Sequence, residues 1–425
     1  MPIPLRLLPP TRAHSANWRV RGLAAWLVAL ALPASAAEFI ASDRTIANGN
    51  PLAGNYIGQT VVVGASLIFN GEVTRVANVQ VDVVAPAHFS YNDQTGGGIA
   101  AYSNSVVRIH AGSFDQISGN GFGGGLNLAD TASGIVNGGT LRYVSLAGTS
   151  AGVAGAHATL NGGLVENGLA GVAYVVNGTL NVNGGTLRAQ GGQAGIAGGA
   201  GSVIQVSGGL VQSALGSAIY IAQDSALTMT GGTVTGGPGG VAQWGVRMEG
   251  ANLAASLRGG TVNGGLRATA ASNQTALQAT LGGSLVVNGG VFAYDNGALD
   301  VTGGSYTRFA GADASFFAMG GNRINFYGAG LALSGPTAGS VFELNHYIGH
   351  FYTFTGGTFS DGQSAVGLRL FDADSVAGNA LGGGFTLNAG VVPEPASGLL
   401  LLLALPCVAA VARAKAARSG LPGRV

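Results

Sequence analysis

One short motif recurs through most of this chain and limits what the chain can fold into. It has the form apolar-x-apolar-x-Gly-Gly-x-apolar. Its clearest copies contain Asn137-Gly138-Gly139-Thr140-Leu141-Arg142 and Asn183-Gly184-Gly185-Thr186-Leu187-Arg188. Others contain Asn161-Gly162-Gly163, Ser207-Gly208-Gly209, Thr230-Gly231-Gly232 and Arg258-Gly259-Gly260, with Ala111-Gly112 as an early variant. The first small residues stand at 111, 138, 162, 184, 208, 231 and 259, so the steps are 27, 24, 22, 24, 23 and 28. Later copies at Asn288-Gly289-Gly290, Thr302-Gly303-Gly304 and Thr355-Gly356-Gly357 loosen the register, with steps of 30, 14 and 53. A repeat near 24 residues indicates a stacked array of one supersecondary unit.

Aligning the copies gives two apolar columns. Two residues before the pair stand Ile109, Val136, Leu160, Val182, Val206, Met229, Leu257, Val287, Val301 and Phe354. Three residues after its first member stand Phe114, Leu141, Val165, Leu187, Val211, Val234, Val262, Phe292, Tyr306 and Phe359. Neither column holds a charge, and the positions between are mostly small or polar. That alternation predicts strands with one buried face. Gly-Gly supplies a corner where a Cβ would obstruct the bend or φ must be positive. A third strand is visible at Gly171-Val172-Ala173-Tyr174-Val175 and at Ala218-Ile219-Tyr220-Ile221.

Three strands per repeat predict an all-β fold, a right-handed parallel β-helix. It resembles the passenger regions of autotransporters and the polysaccharide lyases. Regular coils are expected over 101–310. An N-terminal cap with the first coils is expected over 37–100, where Ser66-Leu67-Ile68-Phe69-Asn70-Gly71 fits the pattern. The aromatic-rich stretch 311–390 reads as irregular last coils and a cap, because an open end would leave strands unpaired. A β-sandwich is the alternative, but a sandwich does not require the same motif every 24 residues or so. Composition agrees with turns and short strands. Of 425 residues 76 are Gly and only 13 are Pro, which excludes collagen. Only 9% are charged, which excludes a coiled coil and a basic nucleic-acid binder. Gly195–Gly201 and Gly236–Gly240 read as turns, since no P-loop Lys-Ser/Thr follows them.

Both ends read as addresses. Arg6, Arg12, Arg19 and Arg21 precede the apolar run Leu23–Leu32, and Ala34-Ser35-Ala36 gives a small-x-small cleavage pattern. Residues 1–36 are therefore expected to be a secretory signal peptide. At the other end, Val392-Pro393-Glu394-Pro395 is followed by the uncharged stretch 396–412, then by Arg413, Lys415 and Arg418. As a helix, 396–412 would span roughly 26 Å at about 1.5 Å per residue, close to a bilayer core. The basic tail would stay cytoplasmic.

This order, over 391–425, resembles the PEP-CTERM sorting signal of Gram-negative bacteria. The resemblance implies recognition of the Pro-Glu-Pro motif by an exosortase, a membrane processing enzyme, and removal of the single transmembrane helix. It implies anchoring in the inner membrane before processing, then release to the cell surface or matrix, and an association with exopolysaccharide. Cys407 is the one cysteine and lies in that helix, so the body has no disulfide to form. The body 37–390 has 11 Arg, no Lys and 17 acidic residues, a net charge of −6. Neither a nucleic acid nor an anionic membrane is the expected partner.

Catalytic patterns are weak. Enzymes similar to polygalacturonases use clustered Asp with Gly-His-Gly and Arg-x-Lys, and pectate-lyase-like sites need an Asp cluster for calcium. Here Asp372-x-Asp374 is the nearest thing to a carboxylate pair. His346 and His350 are four apart without the Glu of His-Glu-x-x-His. No catalytic, cofactor or metal residue is expected. Asn137, Asn161, Asn183, Ser207 and Thr230 would form an outward ladder if exposed. The sequence thus favours a non-enzymatic exported protein with a structural or adhesive role at the envelope or in the exopolysaccharide matrix. The alternative is a polysaccharide lyase or hydrolase on the same scaffold. A conventional autotransporter is disfavoured, because it would end in an outer-membrane barrel.

Overall fold

Alternation along Val106–Ile109 sets the first face of the molecule: Val107 and Ile109 point into the core, while Val106 and Arg108 stay half-buried outside. In a computed structural model of the protein this strand pairs parallel and in register with Ser133–Val136. The stack continues through His157–Leu160, Thr179–Val182, Val203–Val206 and the first half of Ala226–Thr235. Ser113–Gln116, Thr140–Leu141, Leu164–Asn167, Thr186–Ala189 and Leu210–Ser213 form a second face in the same way. Gly125–Ala129, Val144–Ala147, Ala173–Val176, Ile196–Gly198 and Ile219–Ile221 form a third. Each coil contributes one strand to each face, so the fold is a parallel β-solenoid.

The structure describes 98–389 except 103, 117–124, 149–154, 169–170, 238–242, 271–276, 295–296, 310–312, 320–322, 342–346 and 374–383; N-terminal to these it describes only the backbone of strands between 37 and 91. Those strands extend the first face, from Ala37–Ile40 through Thr60–Val63 and Gln80–Val83 to Val106–Ile109.

The two apolar columns are the inner lining. Ile109, Val136, Leu160, Val182, Val206, Met229 and Leu257 are buried on the first face, and Phe114, Leu141, Val165, Leu187, Val211, Val234 and Val262 on the second. Burying each such Val or Leu stabilises by roughly 1.5–3 kcal/mol relative to exposure. A single coil leaves its axial sides open, so the stabilisation needs neighbours.

The two glycines of a corner serve different needs, as Gly184 and Gly185 show. A Cβ on Gly184 would stand 2.4 Å from the backbone oxygen of Asn161 one coil below. Gly185 sits at φ +76°, in the left-handed region that side chains disfavour. The same approach to a lower-coil oxygen, at 2.3–2.5 Å, recurs at Gly138, Gly162, Gly208, Gly231 and Gly259.

The structure corrects three sequence assignments. First, Asn288-Gly289-Gly290 is not a first-to-second-face corner. Val287 stacks on Val262 of the second face, and Phe292 pairs with Arg267 on the third. The true corner is at Gly283, whose Cβ would meet the oxygen of Arg258 at 2.4 Å. One extra residue then separates it from Val287, which hid it from the motif. With corners at 259, 283 and 303 the register never loosens there, and Val301 and Tyr306 occupy the expected columns. Second, Gly356-Gly357 belongs to Tyr347–Phe359, which pairs antiparallel with Arg323–Leu333, Thr337–Val341 and Arg369–Asp372. Phe354 and Phe359 are therefore not solenoid columns. Third, Gly195–Gly201 is not only turn, because Ile196–Gly198 is a strand of the third face.

The antiparallel insertion closes the C-terminal end. Arg323–Leu333 begins as a first-face strand, pairing with Ala298–Val301, and then leaves the solenoid. Phe326 lies 5.0 Å from Phe316 and 5.1 Å from Phe354, centroid to centroid, under the insertion. Phe385–Asn388 adds a further first-face strand.

Candidate binding surface

Two lines of side chains run along the outside of the coils. The first follows the corner between the first and second faces. Each strand ends there on an exposed polar residue, because the chain turns immediately afterwards. Asn161 Nδ2 donates to Asn137 Oδ1 at 2.9 Å, Asn183 Nδ2 to Asn161 Oδ1 at 3.0 Å, and Ser207 Oγ to Asn183 Oδ1 at 2.8 Å. His110 Nδ1 lies 3.3 Å from Asn137 Nδ2 at one end, and exposed Thr230 follows Ser207 at the other. The expected ladder is present from Asn137 to Ser207. A second ladder uses the same chemistry at the next corner: Asn288 Nδ2 donates to Asn263 Oδ1 at 2.9 Å, and Asn263 Nδ2 to Thr235 Oγ1 at 3.1 Å.

The second line lies on the third face. Strand register places Tyr174, Ala197, Tyr220, Arg247 and Arg267 on successive coils, all facing outward. Arg247 holds Glu249 with both Nε (2.7 Å) and Nη2 (2.9 Å), a bidentate charge-assisted pair. Its guanidinium lies 5.4 Å from the Tyr220 ring centroid. Arg267 donates Nε to Thr269 Oγ1 at 3.1 Å, lies 4.8 Å from the Tyr294 centroid and keeps Nη2 3.7 Å from Glu249. Glu249 is the one acidic residue on the third-face strands from Gly125–Ala129 to Val291–Tyr294. The patch therefore carries two cations to one anion on an acidic body.

The patch has a sharp end. One coil beyond Arg267 the outward position is Phe292, which is fully buried with Trp244, Phe317 and Phe371 in a cluster outside the solenoid. Phe292 and Phe317 stack at 4.2 Å, and Arg369 covers Phe351 at 4.3 Å from its centroid. Sequence reading missed Arg247, Glu249 and Arg267. The signal was there in Ile219-Tyr220-Ile221, Val246-Arg247-Met248 and Leu266-Arg267-Ala268, three apolar-x-apolar triplets with a planar polar group between.

The other singled-out residues do not assemble. Asp372 is fully buried on the third face, and Asp374 lies outside the described residues. His350 pairs with Asp372 in the antiparallel ladder, while His346 is outside the described residues. Among the described residues, no three of His, Cys, Asp and Glu cluster as a metal site would require. Ala34, Ser35 and Ala36, the sorting motif 392–395, the stretch 396–412 and the basic residues Arg413, Lys415 and Arg418 also lie outside the described residues. No helix among the described residues is long and apolar enough to cross a membrane.

Burial tunes two tyrosines in the frame. Tyr306 is pushed well above the usual phenol range, chiefly by burial and further by the Asp361 carboxylate, and its hydroxyl donates to Gly303 O at 2.5 Å. Tyr143 is raised by burial, an effect Asn127 opposes by donating Nδ2 to its oxygen at 2.8 Å. Both stay protonated as structural hydrogen-bonding groups.

Comparison with protein families, curated proteins and solved structures finds no match. What the fold and surface define is a class: a parallel β-solenoid with side-chain ladders on its outside.

Proposed function

We propose that this is an exported, non-enzymatic solenoid that works in the cell envelope or the exopolysaccharide matrix of a Gram-negative bacterium. In this reading the coils wind right-handed, residues 1–36 direct export, and the 396–412 helix holds the chain in the inner membrane. An exosortase-type enzyme then acts at Val392-Pro393-Glu394-Pro395. The role is structural or adhesive.

The observation that carries the reading is the hydrogen-bonded corner ladder from Asn137 to Ser207. It is a rigid, uncharged, repetitive polar edge. Such an edge suits contact with a repetitive polar polymer better than it suits one small substrate. The sorting-signal resemblance supplies the compartment.

The test is to incubate the purified full-length chain with the exopolysaccharide of the producing cells. Polymer length, newly formed chain ends and the bound protein fraction are followed together. Bound protein with unchanged polymer supports the reading. Shortening with new ends makes the protein a depolymerase and overturns it.

A further inference from the structure

We propose that the third-face patch around Arg267 binds the carboxylate groups of an acidic, uronate-containing polysaccharide. This rests on the matrix reading and adds the ligand's chemistry and location. The two arginines differ in what they have left to give. Arg247 has its Nε and Nη2 committed to Glu249. Arg267 hydrogen-bonds only through Nε, to Thr269; its Nη2 keeps a longer ion pair with Glu249 at 3.7 Å, and neither terminal nitrogen has a hydrogen-bond acceptor among the described residues. A planar guanidinium with an uncommitted edge matches a carboxylate bidentately. Partial burial strengthens that pairing, since the Arg267 side chain keeps 25% of its surface exposed.

The surroundings favour a sugar polymer over a free ion. Tyr220, Arg247 and Arg267 follow the solenoid axis on successive coils at about the strand spacing of 4.8 Å, and Tyr294, one coil further in the neighbouring Glu249–Thr269 column, leans its ring against Arg267. Half-buried Tyr220 offers apolar ring surface beside Arg247 against which the C–H face of a sugar ring can lie, while Tyr294 is already stacked on Phe292. Toward the N-terminal side the outward column continues through Ala197, Tyr174, Ser145 and Asn127, with no charge to repel a chain extended that way. At the other end the aromatic cluster around Trp244 and Phe317 forms a wall. Glu249 sets the strength: it orients Arg247 and Arg267 but leaves one net positive charge, so binding is weak per site and grows with polymer length.

The test uses polygalacturonate and the same polymer fully methyl-esterified, titrated against the full-length chain at low and moderate salt. Expected is saturable binding to polygalacturonate that is at least tenfold weaker for the ester and weakens with salt. R267Q is expected to lose at least tenfold, and R267K most of that, because an ammonium lacks the fork. R188Q, on the second face beside Glu166, is expected to leave binding unchanged. Thermal unfolding of R267Q at the wild-type temperature shows that the fold is intact. Equal binding of both polymers, or R267Q binding like wild type, overturns the inference. If R267Q also keeps its hold on the producing cells' own polymer, the matrix reading survives that loss. If the wild type binds polygalacturonate in no condition, the acidic-ligand claim falls outright.

Discussion

Asn183 donates its side-chain amide to the carbonyl of Asn161, 3.0 Å away and 22 positions earlier in the chain. Asn161 passes the same bond on to Asn137 at 2.9 Å. Each amide is thus donor to one coil and acceptor from the next, a use that an aspartate, which only accepts when ionised, could not replace. Replacing Asn161 by Ala removes two bonds at once. These are exposed neutral bonds, each contributing about 0.5–1.5 kcal/mol at most. N161A is therefore expected to destabilise by about 1–2 kcal/mol, read as a lower urea midpoint. N137A, which removes its bond to Asn161 and its contact with His110, is expected to cost less.

The ladder also bears on chemical durability. Asn-Gly is prone to deamidation: the glycine nitrogen attacks the asparagine Cγ, ammonia leaves, and water opens the succinimide to aspartate or isoaspartate. In the corners that nitrogen is engaged, with Gly162 N–H bonded to Val136 O at 3.2 Å and Gly184 N–H to Leu160 O at 3.1 Å. The side-chain amides are held by the ladder. Mass spectrometry after mild alkaline incubation is expected to find Asn161 and Asn183 several-fold slower to deamidate in folded than in urea-unfolded protein. Equal rates would remove the ladder's protective role.

How far the fold could be read from the chain depended on whether each coil kept its spacing. From Ile109 to Val262 the motif placed both inner columns correctly, because every coil repeats the same corner. It slipped at Gly283, where one inserted residue broke the pattern and Asn288-Gly289-Gly290 offered a convincing substitute. Sequence spacing cannot distinguish those two corners; only the pairing of Val287 with Val262 does. The Asn137–Ser207 ladder was legible because its members share one motif position. Arg247 and Arg267 were not, because the loops before the third face vary in length and hide their alignment.

The two glycines of one corner should fail differently from an unconstrained glycine. At Gly184 a Cβ meets backbone 2.4 Å away, and at Gly185 φ is +76° with the Gly162 carbonyl carbon 2.7 Å away. Neither contact can be relieved by a side-chain rotation. G184A and G185A are each expected to cost about 1–3 kcal/mol or more. A Cβ added at Gly168 would meet nothing within 4 Å, so G168A should stay within about 0.5 kcal/mol of wild type. Chemical denaturation of the three variants side by side decides it.

His157, on the outer side of the first face, has its pKa lowered by burial. The folded state therefore resists the proton that the unfolded chain accepts near pH 6.5. Below that value the unfolded state binds more protons, so stability falls with falling pH until the folded imidazole also protonates. One such group contributes a slope of at most about 1.4 kcal/mol per pH unit. H157Q is expected to flatten the decline below about pH 6.5 while leaving the alkaline side unchanged. An identical slope in both proteins would mean that burial at this site has no energetic consequence for protonation.

An aromatic plug closes the C-terminal end of the solenoid. A solenoid end presents unpaired strand edges, which invite a second chain. Here Arg369–Asp372, the third-face strand that stacks on Phe316–Met319, has its far edge covered by Tyr347–Phe359 in antiparallel pairing. Phe326 anchors that cover beneath Phe354 and Phe359. Truncating it to Ala should cost about 3–5 kcal/mol, as for other buried phenylalanines. The loss should act locally, because coils far from the end touch only their own neighbours. F326A is therefore expected to keep its far-ultraviolet β signal while the cover loosens and the edge becomes available. Sedimentation velocity should then show concentration-dependent association that wild type lacks. A variant that is destabilised yet stays monomeric would mean that the cover packs the end without guarding it.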